Sequence, residues 1–171
     1  PDGRVATHRR GPPGPLAGVK PVPVAVALGS NLGVRHRALE TAVGRLQEVF
    51  SDLRVSSFHD TAPVGVGPQP RFLNAAAIGL TRLGPRALLD WLLATELAAG
   101  RERPGLGAPR TIDLDLILYG DAVVDEPGLT LPHPRFRGRA FVLEPLSEIA
   151  PDWRDPVSGL TVAELLGRLG L

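Results

Sequence analysis

The chain has no cysteine among its 171 residues. That excludes disulfides, zinc ribbons, iron–sulfur clusters and a thiolate nucleophile. It has no methionine either, even at position 1, and so reads as a processed or excised chain. Lysine occurs once, at Lys20 before Pro21. A Walker A loop needs Gly-Lys-Ser/Thr and a protein kinase needs its strand lysine, so both of those routes to ATP are closed. The glycines of Gly65-Val66-Gly67-Pro68-Gln69-Pro70 miss the GxGxxG pattern at its last position. No apolar run approaches the ~20 residues of a membrane span. No signal pattern opens the chain, so a cytoplasmic protein with no membrane partner is expected.

What is present is ordinary for one globular domain: 43% hydrophobic and 22% charged residues, enough for a real core. The net charge is +1, but residues 1–23 carry four basic side chains against one acidic, which leaves the remainder at −2. A nucleic-acid partner is therefore not expected, because its footprint needs a basic domain face. Eighteen of the nineteen basic residues are arginine. With abundant Ala, Gly, Leu and Pro, this composition suits a GC-rich genome, and that bias accounts for any single arginine.

Residues 1–23 hold six prolines and four glycines, too little apolar material to order themselves. They read as a flexible extension or linker, with a folded domain over residues 24–171. Val24 to Leu28 predicts a buried strand that ends in Gly29-Ser30-Asn31. Over residues 34–50, Leu39, Val43, Leu46 and Phe50 mark one helical face, with Asn31 as the expected N-cap. Leu53 to Phe58 predicts a strand, and the Pro/Gly-rich residues 59–70 a long functional loop. Leu73 to Leu80 is a second, Ala-rich strand. Pro85 opens a helix to about Ala99, with Leu88, Leu89, Leu92 and Leu93 inward and Gly100 as its stop. Residues 101–110 form a loop, Ile112 to Tyr119 a strand, and residues 140–150 and 161–169 short helices. The order β-α-β-β-α-β predicts an α+β, ferredoxin-like antiparallel sheet with helices on one face, plus short C-terminal helices.

The chemistry concentrates in Arg110-Thr111-Ile112-Asp113-Leu114-Asp115. On a strand, Asp113 and Asp115 share a face about 6.6 Å apart, with Ile112, Leu114, Leu116 and Leu118 turned to the core. Two readings stand on the aspartates alone. They could hold Mg²⁺, which takes carboxylate, water and phosphate ligands, or form a solvated face balanced by arginines. Arg101, Arg103 and Arg110 precede them; Arg135, Arg137 and Arg139 follow His133. Arginine forks match phosphate oxygens, so together these groups point to a polyphosphate held by Mg²⁺. His133 lies in Leu131-Pro132-His133-Pro134, where the prolines fix the backbone.

Four motifs in order, Ala27-Leu28-Gly29-Ser30-Asn31-Leu32-Gly33, Phe72-Leu73-Asn74-Ala75-Ala76, Pro109-Arg110-Thr111-Ile112-Asp113-Leu114-Asp115 and Leu131-Pro132-His133-Pro134-Arg135-Phe136, resemble 6-hydroxymethyl-7,8-dihydropterin pyrophosphokinases of the folate pathway. The likeness runs from about Val24 to Leu169. It implies transfer of the β,γ-diphosphate of ATP to the pterin hydroxymethyl group, with release of AMP. By the same resemblance, Asp113 and Asp115 ligate two Mg²⁺ ions, and Arg101 and Arg110 act on the developing charge. Glu96, Arg103, Leu116, Thr130, His133 and Arg139 contact ATP. Thr61, Val64, Phe72, Asn74 and Phe141 hold the pterin, a flat ring suited to aromatics and an amide. Fusion or association with neighbouring folate enzymes is also implied.

The chain departs from the family pattern in three places. Residues 104–109 lack the usual tryptophan and neighbouring basic residue of a loop expected to close over substrate. Gly128 stands where an arginine is common, and Pro134 where an aromatic is. Two rival readings follow: a degenerate pterin or nucleotide binder, and a nucleic-acid module of the same topology. The second would need exposed aromatics on the central strands, and Leu73 to Leu80 has none.

Overall fold

The computed structural model describes residues 20–65, 67–99 and 111–170. Among these residues seven strands and four helices follow in order: β1 Val22–Ser30, α1 Arg35–Leu46, β2 Ser51–Val55, β3 His59–Thr61, β4 Phe72–Thr81, α2 Pro85–Ala98, β5 Asp113–Tyr119, β6 Val124–Glu126, β7 Leu129–Leu131, α3 Ala140–Ile149 and α4 Val162–Gly167. A single 3-10 turn, Phe136–Gly138, precedes α3. The main sheet is antiparallel in the order β2-β4-β1-β5, with β3 also paired to β4. This is the ferredoxin-like arrangement expected.

Alternation along the two central strands divides the core into two layers. Val24, Val26 and Leu28 of β1, with Ala75 and Ala77 of β4, pack against Leu39 and Leu46 of α1 and Leu88 and Leu92 of α2. The alternate residues Ala25, Ala76 and Ile78 pack against Phe136, against Val142, Leu143 and Leu146 of α3, and against Val162 and Leu165 of α4. The small alanines let α3 approach the sheet closely. The C-terminal helices therefore cover one end of the second face and leave its other end open. That open end is where the candidate functional site lies.

Several expectations change. Strand β1 starts at Val22, two residues earlier than expected. Helix α1 starts at Arg35, and Val34 rather than Asn31 stands at its N-cap position. Asn31 instead donates from its side-chain amide to Gln69 Oε1 at 2.9 Å and to the Pro70 carbonyl at 3.3 Å. Val43 is only half-buried, and Phe50 is buried from beyond the end of the helix, where Ala42 completes the helix face. Leu89 and Leu93 of α2 are half-buried, while Thr95 and Glu96 are buried. The stretch read as one strand, Leu53 to Phe58, is divided: β2 ends at Val55, and β3 begins at His59 inside the segment read as a loop. Leu118 does not share a face with Leu114 and Leu116. A bulge opposite Ala25 and Val26 skips Ile117 in the pairing, so both Ile117 and Leu118 turn to the second layer.

Candidate active site

Two rows of side chains cross the open end of the second face. In the first, Asp113 pairs with Gly29, Gly29 with Asn74, and Asn74 with His59, spanning β5, β1, β4 and β3. In the second, Asp115 pairs with Ala27 and Ala27 with Ala76. Directly opposed residues of an antiparallel sheet present their side chains to the same face. The two carboxylates thus stand on β5, and the Asn74 amide two strands away, about 10 Å by ordinary strand spacing.

The floor between them is bare because Gly29 and Ala27 occupy it. A Cβ at Gly29 would stand 2.9 Å from Asn74 Oδ1, closer than carbon and oxygen tolerate. Only glycine leaves both the amide and the flat floor in place. The cleft above is lined by Ala27, Gly29, Thr61, Ala62, Val64, Phe72, Asn74, Asp113, Asp115, Arg139 and Phe141. Asn74 donates from its side-chain amide to Thr61 Oγ1 across the β3–β4 pair. Phe141 enters from the start of α3, with the Arg139 guanidinium 5.4 Å from its ring centroid. A larger groove of about 410 Å³ runs between α1 and α2 on the other side of the sheet. It holds neither aspartate and none of the residues expected to hold a pterin.

The outer edge of β5 positions two further groups. Leu114 N, between the aspartates, donates to Glu96 Oε1 of α2 at 2.9 Å. His133 N donates to the Ile117 carbonyl at 2.9 Å, which docks the segment after β7 along β5. His133 Nδ1 accepts from the Arg135 amide at 3.1 Å, so a neutral ring carries its proton on Nε2. Burial, followed by the nearby Arg139 and Arg135 guanidiniums, lowers the pKa of His133 to about 4, against the opposing pull of Asp113.

The structure thus brings together Asp113, Asp115, Thr61, Val64, Phe72, Asn74, Arg139 and Phe141 in one cleft, with His133 near Arg139 and Asp113. Other sequence-derived positions lie elsewhere. Leu116 turns its side chain into the α1–α2 core, leaving only its main chain for a ligand. Glu96 is 2% exposed and holds β5 from behind. Thr130 is exposed on β7 opposite Asp125. The arginine cluster after His133 divides: Arg137 turns away and pairs with Asp155, through Nη2 to Oδ1 at 2.8 Å and through Nε to Oδ2. Arg101, Arg103 and Arg110, and the loop over 101–109, lie outside the described residues. Sequence reasoning did not single out Ala27, Gly29 and Ala62 as lining residues. Strand alternation from Leu28 was the available signal for the first two.

Among the described residues no group of three or more His, Asp and Glu side chains could enclose a metal. Asp113 and Asp115 form a two-carboxylate set. That suits Mg²⁺, which binds through one or two carboxylates and completes its shell with water and substrate phosphates. No helix among the described residues is long and apolar enough to cross a membrane.

The family model described as 7,8-dihydro-6-hydroxymethylpterin-pyrophosphokinase (HPPK) matches residues 25–151. A 2-amino-4-hydroxy-6-hydroxymethyldihydropteridine pyrophosphokinase of Synechocystis is 43% identical over 143 residues, covering 82% of this chain and 73% of that protein. The protein of the same description from Pseudomonas aeruginosa is 42% identical over 145 residues, covering 84% of this chain and 89% of its own length. Among solved structures, wild-type HPPK-DHPS of Plasmodium falciparum superposes with a TM-score of 0.73 at 13% identity. That match covers 89% of this chain and 45% of the Plasmodium chain, and at this identity it speaks for the fold alone.

Proposed function

The chain belongs to the 7,8-dihydro-6-hydroxymethylpterin-pyrophosphokinase family, and from that premise we infer that it transfers the β,γ-diphosphate of ATP to 6-hydroxymethyl-7,8-dihydropterin. The hydroxymethyl oxygen forms a bond to the β-phosphorus, the bond from that phosphorus to the α,β-bridging oxygen breaks, and AMP leaves. The hydroxyl proton passes to solvent. The observation that carries this reading is the sharing of one sheet face by the Asp113/Asp115 pair and the Asn74/Phe72 cleft.

Within this proposal the pterin lies over Gly29, between Phe72 and Phe141. The Asn74 amide, already oriented by Thr61, reads the polar edge of the ring. Asp113 and Asp115 hold Mg²⁺, which when bound neutralises and orients the triphosphate. Neutral His133 donates from Nε2 to a phosphate oxygen, and Arg139 adds a guanidinium at the same end of the cleft. Such transfer needs positioning and charge neutralisation rather than a covalent nucleophile. Arg101, Arg103 and Arg110 enter the proposal on the family resemblance alone.

The same proposal takes residues 24–171 as the catalytic unit, with β1 extending it to Val22, and keeps the residues before Val22 as an extension or linker. Association with a neighbouring folate enzyme is part of it. The folate synthesis bifunctional protein of Arabidopsis thaliana is 42% identical over 128 residues, which cover only 26% of that longer protein. Mixing the protein with ATP, Mg²⁺ and 6-hydroxymethyl-7,8-dihydropterin should release AMP and pterin diphosphate in equal amounts. No AMP above the level without pterin would overturn the proposal.

A further inference from the structure

Strand β3 carries Thr61, the partner of Asn74, yet it is three residues long and pairs with β4 only through His59, Asp60 and Thr61. Strand β2 occupies the same edge of β4 further along, paired with Ala77, Ile78 and Leu80, and among the described residues β3 has no strand on its outer side. So short an edge strand is weakly held by its ladder alone. Side chains reinforce it from two directions. Asp60 is gripped by Arg35 Nη2 at 3.1 Å and Arg71 Nε at 2.7 Å. From the other side comes Glu148 of α3.

The Glu148 carboxylate collects four contacts from the β2–β3 junction. Oε2 accepts from the Ser57 amide at 2.9 Å, and the Ser57 hydroxyl lies 2.7 Å from Oε1 and 3.0 Å from Oε2. His59 Nε2 also contacts Oε1. Ser57 and His59 meet the carboxylate through the same ring nitrogen and hydroxyl, Ser57 Oγ lying 3.3 Å from His59 Nε2. No relay runs from carboxylate through ring to hydroxyl, as a hydrolase triad requires. The cluster is a tether. Burial opposes the charge on Glu148, but the Ser57 hydroxyl, the Ser57 amide and His59 outweigh it and hold the carboxyl below its usual pKa.

Glu148 lies seven positions after Phe141 on α3, two turns along one helix face. One end of that face puts Phe141 into the cleft, and the other grips β3. His59 lies in the sheet row of Asn74 and Gly29, directly beside the cleft. We propose that Glu148 is a positioning residue for the pterin cleft, fixing the separation of the β3 wall at Thr61 from the α3 wall at Phe141. This inference rests on the pterin reading of the cleft given above.

The test uses the full chain and compares wild type with Glu148→Ala, Glu148→Gln and Ser57→Ala. Calorimetric titration with 6-hydroxymethyl-7,8-dihydropterin is run in the presence of Mg²⁺ and a non-hydrolysable ATP analogue. Steady-state kinetics and hydrogen exchange over residues 57–61 accompany it. Glu148→Ala should weaken pterin binding and raise the pterin KM by about tenfold, the equivalent of one charge-assisted hydrogen bond. The KM for ATP and kcat should change by less than about twofold, within the scatter of surface substitutions. Exchange over 57–61 should quicken. Glu148→Gln keeps an acceptor for the Ser57 amide and should recover most of the affinity. Should Glu148→Ala fail to fold, Ser57→Ala carries the test, with a smaller loss in the same parameter. Wild-type pterin affinity in folded Glu148→Ala, or in Ser57→Ala where that variant does not fold, or equal losses for both ligands, would overturn the inference alone. Absence of pterin binding by the wild type would overturn the functional reading, and this inference with it.

Discussion

The carboxylate of Glu96 accepts the main-chain amide of Leu114 at 2.9 Å, so helix α2 holds the one residue that separates Asp113 from Asp115. Strand β5 is an edge of the main sheet, and its outward amides need partners from outside the ladder. Glu96 supplies one of them from a buried position. The resemblance placed Glu96 at the nucleotide; in the structure its Oε1 meets the β5 main chain between the two aspartates.

Glu96→Ala should therefore lower stability and turnover together. An interior amide left without its acceptor costs about 1–3 kcal/mol, and the two aspartates lose the support that sets their spacing. Glu96→Gln retains an acceptor oxygen and nearly the same volume, so it should recover most of the melting temperature. Thermal melts alongside AMP release check this. A stable, fully active Glu96→Ala protein would mean that β5 keeps its position unaided.

Asp113→Asn and Asp115→Asn should each abolish turnover while the fold persists. Among the described residues no group of three or more His, Asp and Glu side chains could hold a metal, so on the proposed Mg²⁺ role each of the two carboxylates would carry a large part of the metal's binding. Metal stabilisation of phosphoryl transfer amounts to several kcal/mol, so a fall in kcat of at least about 100-fold is expected at ordinary Mg²⁺. Each variant should need more Mg²⁺ to bind an ATP analogue. Near-wild-type rates at saturating Mg²⁺ would defeat the metal assignment.

The parts of the fold legible in sequence are those with a strong local pattern. Val24 to Leu28 is an unbroken apolar run, Leu73 to Leu80 is apolar but for Asn74 and Gly79, and the leucines of α2 recur with helical period, so these elements stand out. The aspartate pair was legible because a two-residue period is the strand's own. Strand β3 was not, since His59, Asp60 and Thr61 are all polar and sit amid prolines and glycines; tethers from Arg35, Arg71 and Glu148 make it a strand. The bulge at Ile117 breaks the alternation without any local mark, because Leu116, Ile117 and Leu118 are equally apolar. Partners such as Ser57 and Glu148 lie 91 positions apart, and no periodicity reports a contact at that separation.

Phe72→Ala and Asn74→Ala should weaken pterin binding far more than ATP binding. The Phe72 ring and the Asn74 amide line the cleft on β4, two strands from the carboxylates. Losing the amide from this buried site should cost about 1–3 kcal/mol of pterin affinity, roughly 5- to 150-fold. Separate calorimetric titrations with each ligand decide it. Equal losses would mean that these side chains support the sheet rather than the ring.

Arg137 and Arg139 should separate cleanly despite lying two positions apart. Asp155 is fully buried, and Arg137 grips it by two hydrogen bonds. Removing Arg137 leaves a buried carboxylate with only Ser158 and the Val157 amide for support. Arg137→Ala should therefore cost about 3 kcal/mol of stability with little change in the KM for ATP. Arg139→Ala, which loses a guanidinium in the cleft, should do the reverse. Chemical denaturation and steady-state kinetics on both variants provide the comparison, and a shared phenotype would refute the division.

His133 should act as a neutral donor, and its protonation should damage both stability and turnover on the acid side. Burial and the neighbouring Arg139 and Arg135 lower its pKa from the ordinary 6.5 to about 4. The unfolded chain therefore binds more protons at this residue than the folded protein throughout that interval, and stability rises with pH across it. The contribution is fully present above pH about 6.5 and is lost as the pH falls toward about 4. His133→Gln, which cannot titrate, should flatten that part of the stability profile. Activity should follow the folded-state value instead, because Nδ1 already accepts from the Arg135 amide and only the neutral ring can keep that bond while donating from Nε2. Protonation would break the Arg135 contact and place a third positive charge beside two arginines. Titration of the His133 ring by NMR, alongside urea unfolding between pH 4 and 7.5, measures both effects. A ring that titrates near 6.5 in the folded protein would show that His133 is charged through much of the acid range, and would replace the donor role with that of a cation.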